Sequence, residues 1–287
     1  MICMAPLRGR GAPAVAQGVS MSPATLLADG TWTYFTRPEA TYKDGWYYFG
    51  WCNSSGQAGV TRLQVSAGSA TNIQSVTLAS LGEARDNETG NHIIRTQHYV
   101  KLLAQKLQTH PRFSHYLNDA TVELLFKSAP LHDIGKIGIP DSVLLKPSKL
   151  TAAEFEVMKT HTTLGKLAIE SAETRLGKHV PFLRCAKEIA YSHQEKWDGS
   201  GYPEGLAGDA IPVSARLMAI ADVYDALISR RVYKPPFAHE VAMAIIQEGR
   251  GIHFDPDVTD TFTELHLDFK EIAQQHADVE EGFTETP

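Results

Sequence analysis

The sequence contains little cysteine and no long apolar run. Its three cysteines, Cys3, Cys52 and Cys185, are odd in number and widely spaced, which gives no disulfide framework or zinc knuckle and suits a reducing compartment. No stretch approaches the ~18 uninterrupted apolar residues of a membrane span. Residues 1–30 are rich in Ala, Gly and Pro but lack the apolar core of a secretory signal. We therefore expect a cytoplasmic protein without a membrane span.

Basic residues are scarce towards the C-terminus. The net charge is −6, and residues 254–287 hold ten acidic residues against Lys270 alone. The rest of the chain is consequently slightly positive. This distribution predicts a solvated acidic tail over residues 276–287 and a body that does not repel an anionic substrate.

The N-terminal quarter differs in amino-acid composition from the rest of the chain. Residues 31–66 are rich in Trp, Tyr, Phe and Thr, with turn signals at KDG and NSSG, and predict two or three short antiparallel strands. This segment loosely resembles one blade of a BNR-type β-propeller. We expect a disordered extension over residues 1–30 and a β-rich segment of unknown role over residues 31–77.

Helical periodicity dominates the remaining sequence. Apolar residues recur at helical spacing at Ile93, Val100, Leu103 and Leu107. Similar patterns cover residues 119–130, 151–175, 181–194, 213–229 and 239–249, and prolines fall between them. The prediction is a mainly α fold, a helical bundle with a small β-rich N-terminal appendage.

The sequence ETGNH places Glu88 and His92 four residues apart, on one face of a helix. That face continues through Thr96, Tyr99 and Leu103, so it is expected to point inward. The pair suits metal ligation, and the plain alternative is a capping or ion-paired glutamate beside an ordinary histidine.

The run LHDIGKIGIPD contains the adjacent pair His132–Asp133, followed by Gly135 and Lys136. Adjacent helical residues point about 100° apart. Both can reach one metal only above a helix end, or the carboxylate can bridge two metals. A His-Asp dipeptide alone carries little information, but with the Gly-Lys that follows it becomes a strong signal.

Further candidate ligands lie on separate helical segments. His161 and His193 are each near a predicted helix end, and Asp222 interrupts an apolar helix, where a carboxylate is costly unless it is paired or binds metal. Asp225 is interpreted as a plain surface residue. Any one of these could be an ordinary buried polar group, but together they indicate a metal centre.

Together with WDGSGYP at residues 197–203, these motifs resemble the HD-GYP domain. This is the branch of the HD phosphohydrolase superfamily that hydrolyses the bacterial second messenger cyclic di-GMP. The resemblance covers residues 78–275 and implies an HD-type helical bundle. The receiver module that often precedes this domain in the family has no counterpart in the N-terminal pattern.

The resemblance implies a set of metal ligands. It assigns one metal to His92, His132, Asp133 and Asp222, and a second metal to Asp133, His161 and His193. Iron or manganese is expected, with zinc and nickel as alternatives. Family members with three metals use a glutamate matching Glu88 and often a histidine where this chain has Gln194. Since Gln is a weaker ligand than imidazole, two metals are expected, with a third partial or absent.

The same resemblance implies roles in catalysis and substrate binding. Two divalent ions could activate water for attack on a phosphodiester. Asp133 would act as the bridging catalytic residue, and Lys136 would neutralise the phosphate or protonate the leaving oxygen. Arg231 and Lys234 would contact the substrate phosphates.

The Gly-Tyr-Pro loop is interpreted as architecture. Gly201 and Pro203 predict a tight turn that Tyr202 packs against the bundle, with Asp198 bracing the loop and Arg216 holding it. In the family, this loop is also proposed to dock GGDEF-domain cyclases, which makes residues 201–203 a candidate partner surface.

The expected function is a metal-dependent cyclic di-GMP phosphodiesterase that forms pGpG, GMP or both. One alternative is a catalytically weak module that binds cyclic di-GMP or GGDEF proteins. Another is an HD phosphohydrolase that acts on a different nucleotide. The intact ligand set argues against a silent module. No direct DNA binding is expected, and an oligomer is left open.

Overall fold

The computed structural model describes residues 40–43, 46–52, 58–64, 90–177, 180–229 and 236–277. The chain divides into two compact units, Met1–Gln64 and Val65–Pro287. Predictions for residues 1–30, for Glu88, Arg231 and Lys234, and for the tail beyond residue 277 lie outside the described residues.

The first unit contains a three-stranded antiparallel sheet. Its strands are β1 (Ala40–Lys43), β2 (Trp46–Cys52) and β3 (Ala58–Gln64), in the order β1-β2-β3. Aromatic and β-branched residues favour extended backbone, and β1 and β2 end where the sequence carries its two turn signals. The predicted short antiparallel strands are confirmed.

The second unit is helical in the part that the structure describes, which confirms the mainly α prediction. Its helices are α1 (Gly90–Leu107), α2 (Asp119–Ser128), α3 (Asp141–Leu144), α4 (Ala152–Lys159), α5 (His161–Leu176), α6 (Pro181–Ser192), α7 (Val213–Ile228), α8 (His239–Glu248), α9 (Pro256–Glu264) and α10 (His266–Gln275). Short 3₁₀ segments cover Ala129–Leu131, Ile134–Gly138 and Gly208–Ala210. None of the helices described is long and apolar enough to cross a membrane.

Helices α1 and α7 carry the centre of the core. Tyr99 of α1 stacks on Phe269 with ring centroids 4.5 Å apart and meets Tyr224 of α7 edge-on at 5.4 Å. All three rings are fully buried. Burying one large apolar side chain contributes about 1.5–3 kcal/mol, so this cluster holds together the helices that supply His92 and Asp222.

The helical pattern predicted over residues 151–175 forms two helices in the structure, α4 and α5, which meet at Thr160. The Thr160 hydroxyl donates to the Val157 carbonyl oxygen at 2.6 Å, as does its backbone N–H at 3.1 Å. Such local bonds compete with helix continuation. The break makes His161 the first residue of α5.

The 3₁₀ segment Ile134–Gly138 packs directly on the backbone of α5. A Cβ added at Gly135 would overlap the His161 carbonyl oxygen and lie 2.5 Å from the Gly165 nitrogen. Only glycine permits this approach. The contact brings Asp133, two residues before Gly135, close to His161.

Gly135→Ala should therefore destabilise the fold by about 1–3 kcal/mol, the usual cost of overpacking. Chemical denaturation followed by circular dichroism would measure the loss. The matched control is Gly138→Ala, whose added Cβ would have the flexible Leu164 side chain as its nearest neighbour. Equal unfolding free energies for the two variants would contradict the close backbone contact.

Candidate metal centre

Six polar side chains converge at the centre of the helical unit. They come from α1 (His92), from the link between two 3₁₀ segments (His132 and Asp133), from the start of α5 (His161), from the residue that follows α6 (His193), and from α7 (Asp222). The first five are buried and Asp222 is half-buried. The structure thus brings together six of the seven predicted ligands, and Glu88 lies outside the described residues.

The first cluster consists of His92, His132 and Asp222. The Nε2 atoms of the two histidines lie 3.3 Å apart. Asp222 Oδ1 lies 3.7 Å from His92 Nε2 and 3.9 Å from His132 Nε2. Three ligand atoms around one small space have the chemistry of a divalent-metal site.

The second cluster consists of Asp133, His161 and His193. Asp133 Oδ1 lies 3.3 Å from His161 Nε2 and 3.7 Å from His193 Nε2. The two Nε2 atoms are 3.4 Å apart. This cluster is fully buried and offers one carboxylate oxygen and two imidazole nitrogens.

Asp133 connects the two clusters through its two oxygens. While Oδ1 faces the second cluster, Oδ2 lies 3.3 Å from His132 Nε2 and 2.9 Å from Lys136 Nζ. The buried Oδ1 accepts no hydrogen bond from the described residues. An unsatisfied buried oxygen is costly, and a cation on that side would satisfy it. Of the two geometries open to the His-Asp pair, the bridging one matches this arrangement.

The electrostatics keep Asp133 ionised. Burial alone would raise the pKa of its carboxyl, but Lys136 and His132 hold that pKa well below its usual range. Burial lowers the pKa of His132 as well, yet the Asp133 carboxylate outweighs burial and raises it. Burial lowers the pKa of His193 to about 3, so this ring is neutral at physiological pH.

All four histidines direct the same ring atom towards the metal site. Each Nδ1 atom faces an oxygen acceptor at 2.9–3.0 Å: Asp225 Oδ2 for His92, and the carbonyl oxygens of Ala129, Met158 and Ile189 for His132, His161 and His193. Because a carbonyl oxygen only accepts, Nδ1 carries a proton in these three rings. Nε2 is then the ring nitrogen that faces each cluster and is placed to ligate a metal, as in metal-ligating histidines.

Asp225 is the positioning residue that sequence reasoning missed. Its interpretation as a plain surface residue is wrong, because its side chain is fully buried. Arg95 Nε and Nη2 donate to its two oxygens at 2.6 and 2.8 Å, and His92 Nδ1 lies 2.9 Å from Oδ2. The available signal was the parallel spacing of Arg95 and Asp225, each three residues beyond a candidate ligand.

The Gly-Tyr-Pro loop folds back onto the second cluster. A Cβ at Gly201 would overlap the Lys196 nitrogen and lie 2.6 Å from the Gln194 carbonyl oxygen, so the turn requires glycine. The Tyr202–Pro203 peptide bond is cis. The Tyr202 ring lies edge-on to His161, with centroids 6.4 Å apart. Tyr202 therefore borders the candidate metal centre.

Arg216 and Asp198 stabilise the same loop, as the sequence predicts. Arg216 donates to the Ile211 carbonyl oxygen at 2.7 Å and to Asp255 at 2.9 Å, and its guanidinium lies 5.4 Å from the Trp197 ring centre. Asp198 accepts hydrogen bonds from the Ser200 backbone and hydroxyl. These contacts assign both side chains to the support of the loop.

The sequence is similar to a known domain family and to several named phosphodiesterases. The HD domain family model matches residues 84–258. A probable cyclic di-GMP phosphodiesterase of Vibrio cholerae serotype O1 is 61% identical over 203 residues, 71% of this chain and 46% of that protein. A cyclic di-GMP phosphodiesterase response regulator of Xanthomonas campestris pv. campestris is 40% identical over 198 residues, 69% of this chain and 49% of that protein.

A third relative carries a different substrate in its name. The 3′3′-cGAMP-specific phosphodiesterase 2 of Vibrio cholerae is 41% identical over 187 residues, 65% of this chain and 33% of that protein. The chain thus spans less than half the length of each of these three relatives.

Asp225→Asn should weaken metal binding by about 10- to 100-fold, the usual cost of losing a partner that orients a ligating histidine. The amide cannot serve both Arg95 and His92 as the carboxylate does. Competition with a chromophoric chelator would measure affinity, on protein shown to be folded by circular dichroism. Asp260→Asn, at an exposed ion pair with Arg250, is the control. An affinity equal to that of the wild type would contradict the positioning role.

Proposed function

The chain belongs to the HD domain family, and from that membership we propose that it is a metal-dependent phosphodiesterase that hydrolyses cyclic di-GMP to pGpG, GMP or both. One observation carries the proposal. A single ionised, buried carboxylate, Asp133, turns one oxygen to each of two adjacent clusters of metal-type ligands.

The ligand set fits a pair of divalent transition metals. His92, His132 and Asp222 would hold the first ion and His161 and His193 the second, with Asp133 between them. When bound, such a pair supplies Lewis-acid stabilisation of phosphate oxygens and a water of lowered pKa as nucleophile. Mixed nitrogen and oxygen ligands suit iron or manganese, with zinc and nickel as alternatives. Glu88 and Gln194 would form a third site, which the weak Gln ligand leaves partial or empty.

Lys136 is proposed to act on the substrate. Its Nζ atom lies 2.9 Å from Asp133 Oδ2, and its side chain is only 12% exposed. The short 3₁₀ segment on which it lies keeps it beside the bridging carboxylate. From this position its ammonium can neutralise a phosphate oxygen or donate a proton to the leaving 3′ oxygen. Arg231 and Lys234 are proposed as further phosphate contacts.

The proposed substrate is taken from the names of the similar proteins. Two that are named for cyclic di-GMP are 61% and 40% identical to this chain. The relative named for 3′3′-cGAMP is 41% identical, which favours that cyclic dinucleotide as the second candidate. We further propose a cytoplasmic location, and docking of GGDEF-domain proteins on residues 201–203.

Asp133→Ala should remove metal and activity together, because both clusters lose a ligand at once. We expect about two ions per wild-type chain and at most one in the variant. Elemental analysis of anaerobically purified protein would measure metal, and chromatography of pGpG and GMP would measure hydrolysis. Asp260→Ala, at an exposed position, serves as the control.

Two results would count against this account. Full metal content and activity in Asp133→Ala would exclude the bridging role. Wild-type protein with its full metal content that binds cyclic di-GMP without hydrolysing it would favour the binding module.

Lys136→Met should keep the metal but lower kcat by about 10²- to 10⁴-fold, the range that general acid–base catalysis contributes. The change removes the ammonium while keeping an unbranched side chain. Steady-state kinetics and elemental analysis on the same sample would test this. Lys106→Met, on the far part of α1 in an exposed ion pair, is the matched control. Loss of metal in Lys136→Met would instead make the lysine a structural residue.

A further inference from the structure

An exposed aromatic side chain lies beside the candidate metal centre. Phe155 on α4 is 46% exposed, one of the few large apolar side chains so open among the described residues. Its ring meets Tyr202 edge-on at 6.2 Å between centroids, and Tyr202 meets His161 edge-on at 6.4 Å. A continuous series of rings therefore leads from a proposed metal ligand outward to solvent.

Tyr202 is the inner ring of this series, and carboxylates of both clusters affect its pKa. Burial raises the pKa of the Tyr202 phenol, and the carboxylates of Asp133 and Asp222 raise it further. These two carboxylates belong to different clusters. Tyr202 thus lies next to the centre, and Phe155 is one ring farther out, with 6.2 Å between the Phe155 and Tyr202 ring centroids.

The charges around Phe155 favour a neutral planar ligand. Lys159 Nζ lies 5.7 Å from the centres of both the Phe155 and Tyr202 rings. The same nitrogen is 2.7 Å from Glu156 Oε1. Since this ion pair is balanced, it offers little attraction to a further anion. The exposed part of the ring instead suits stacking, which is tolerant of sequence because every base has a π-face.

We propose that Phe155 is a substrate-binding residue whose ring stacks on one guanine base of the cyclic dinucleotide while the scissile phosphate occupies the metal centre. This inference rests on the proposed function and adds to it a contact outside the metal ligands. It makes Phe155 a contributor to affinity that does not take part in bond cleavage.

Phe155→Ala should raise the KM for cyclic di-GMP by about 5- to 150-fold, the effect of losing one base–aromatic stack. Because the stack is present in both the bound substrate and the transition state, kcat should stay within about twofold. Metal content should not change. Phe155→Trp should keep or lower the KM, and Phe155→Leu should behave like the alanine variant. Val157→Ala, also exposed and on the same helix, is the control.

The same variants are compared in the Lys136→Met background by equilibrium dialysis with cyclic di-GMP, so that affinity is measured without turnover. A weaker Kd for Phe155→Ala than for Val157→Ala supports the stack. An unchanged Kd and KM, or full recovery by Phe155→Leu, would overturn it. Wild-type protein that carries its metal but hydrolyses no cyclic dinucleotide would defeat the proposed function alone, because the dialysis comparison would still decide the role of Phe155.

Discussion

The buried charge of Asp133 is the constraint on which the rest of the helical unit depends. An ionised carboxylate away from water is costly unless partners compensate for its lost hydration. Here Lys136 and His132 stand on one side, and the nitrogens of His161 and His193 on the other. One oxygen still accepts no hydrogen bond from the described residues. The arrangement is one that a cation would complete.

Helix ends orient three of the four imidazole rings of the candidate metal centre. His132, His161 and His193 all lie at or beside a helix terminus. The three imidazoles bond to carbonyl oxygens of the turn that precedes each of them. His92, which lies within α1, uses the Asp225 carboxylate instead. The same ring orientation is thus reached in two ways.

Most of the ligand set could be predicted from sequence, because its residues carry distinctive spacings within single helices or turns. Contacts between residues that are far apart in the sequence could not be predicted. Asp225 looks like an ordinary polar residue until Arg95, 130 positions earlier, is placed against it by the packing of α1 on α7. Apolar periodicity also did not locate the break at Thr160, where the hydroxyl and the backbone N–H of Thr160 both donate to the Val157 carbonyl oxygen and end α4.

The approach of Gly135 to the first turn of α5 has a consequence for the distance between the two clusters. Because that contact is made by main-chain atoms, the spacing between His132 of the first cluster and His161 of the second is set by the backbone and not by the rotamers of longer side chains. The identity of the metal-ligating side chains and the distance between the two clusters can therefore vary independently in this fold. Exchanging a side chain in one cluster can alter which ion is preferred, while the span that a substrate must bridge stays constant.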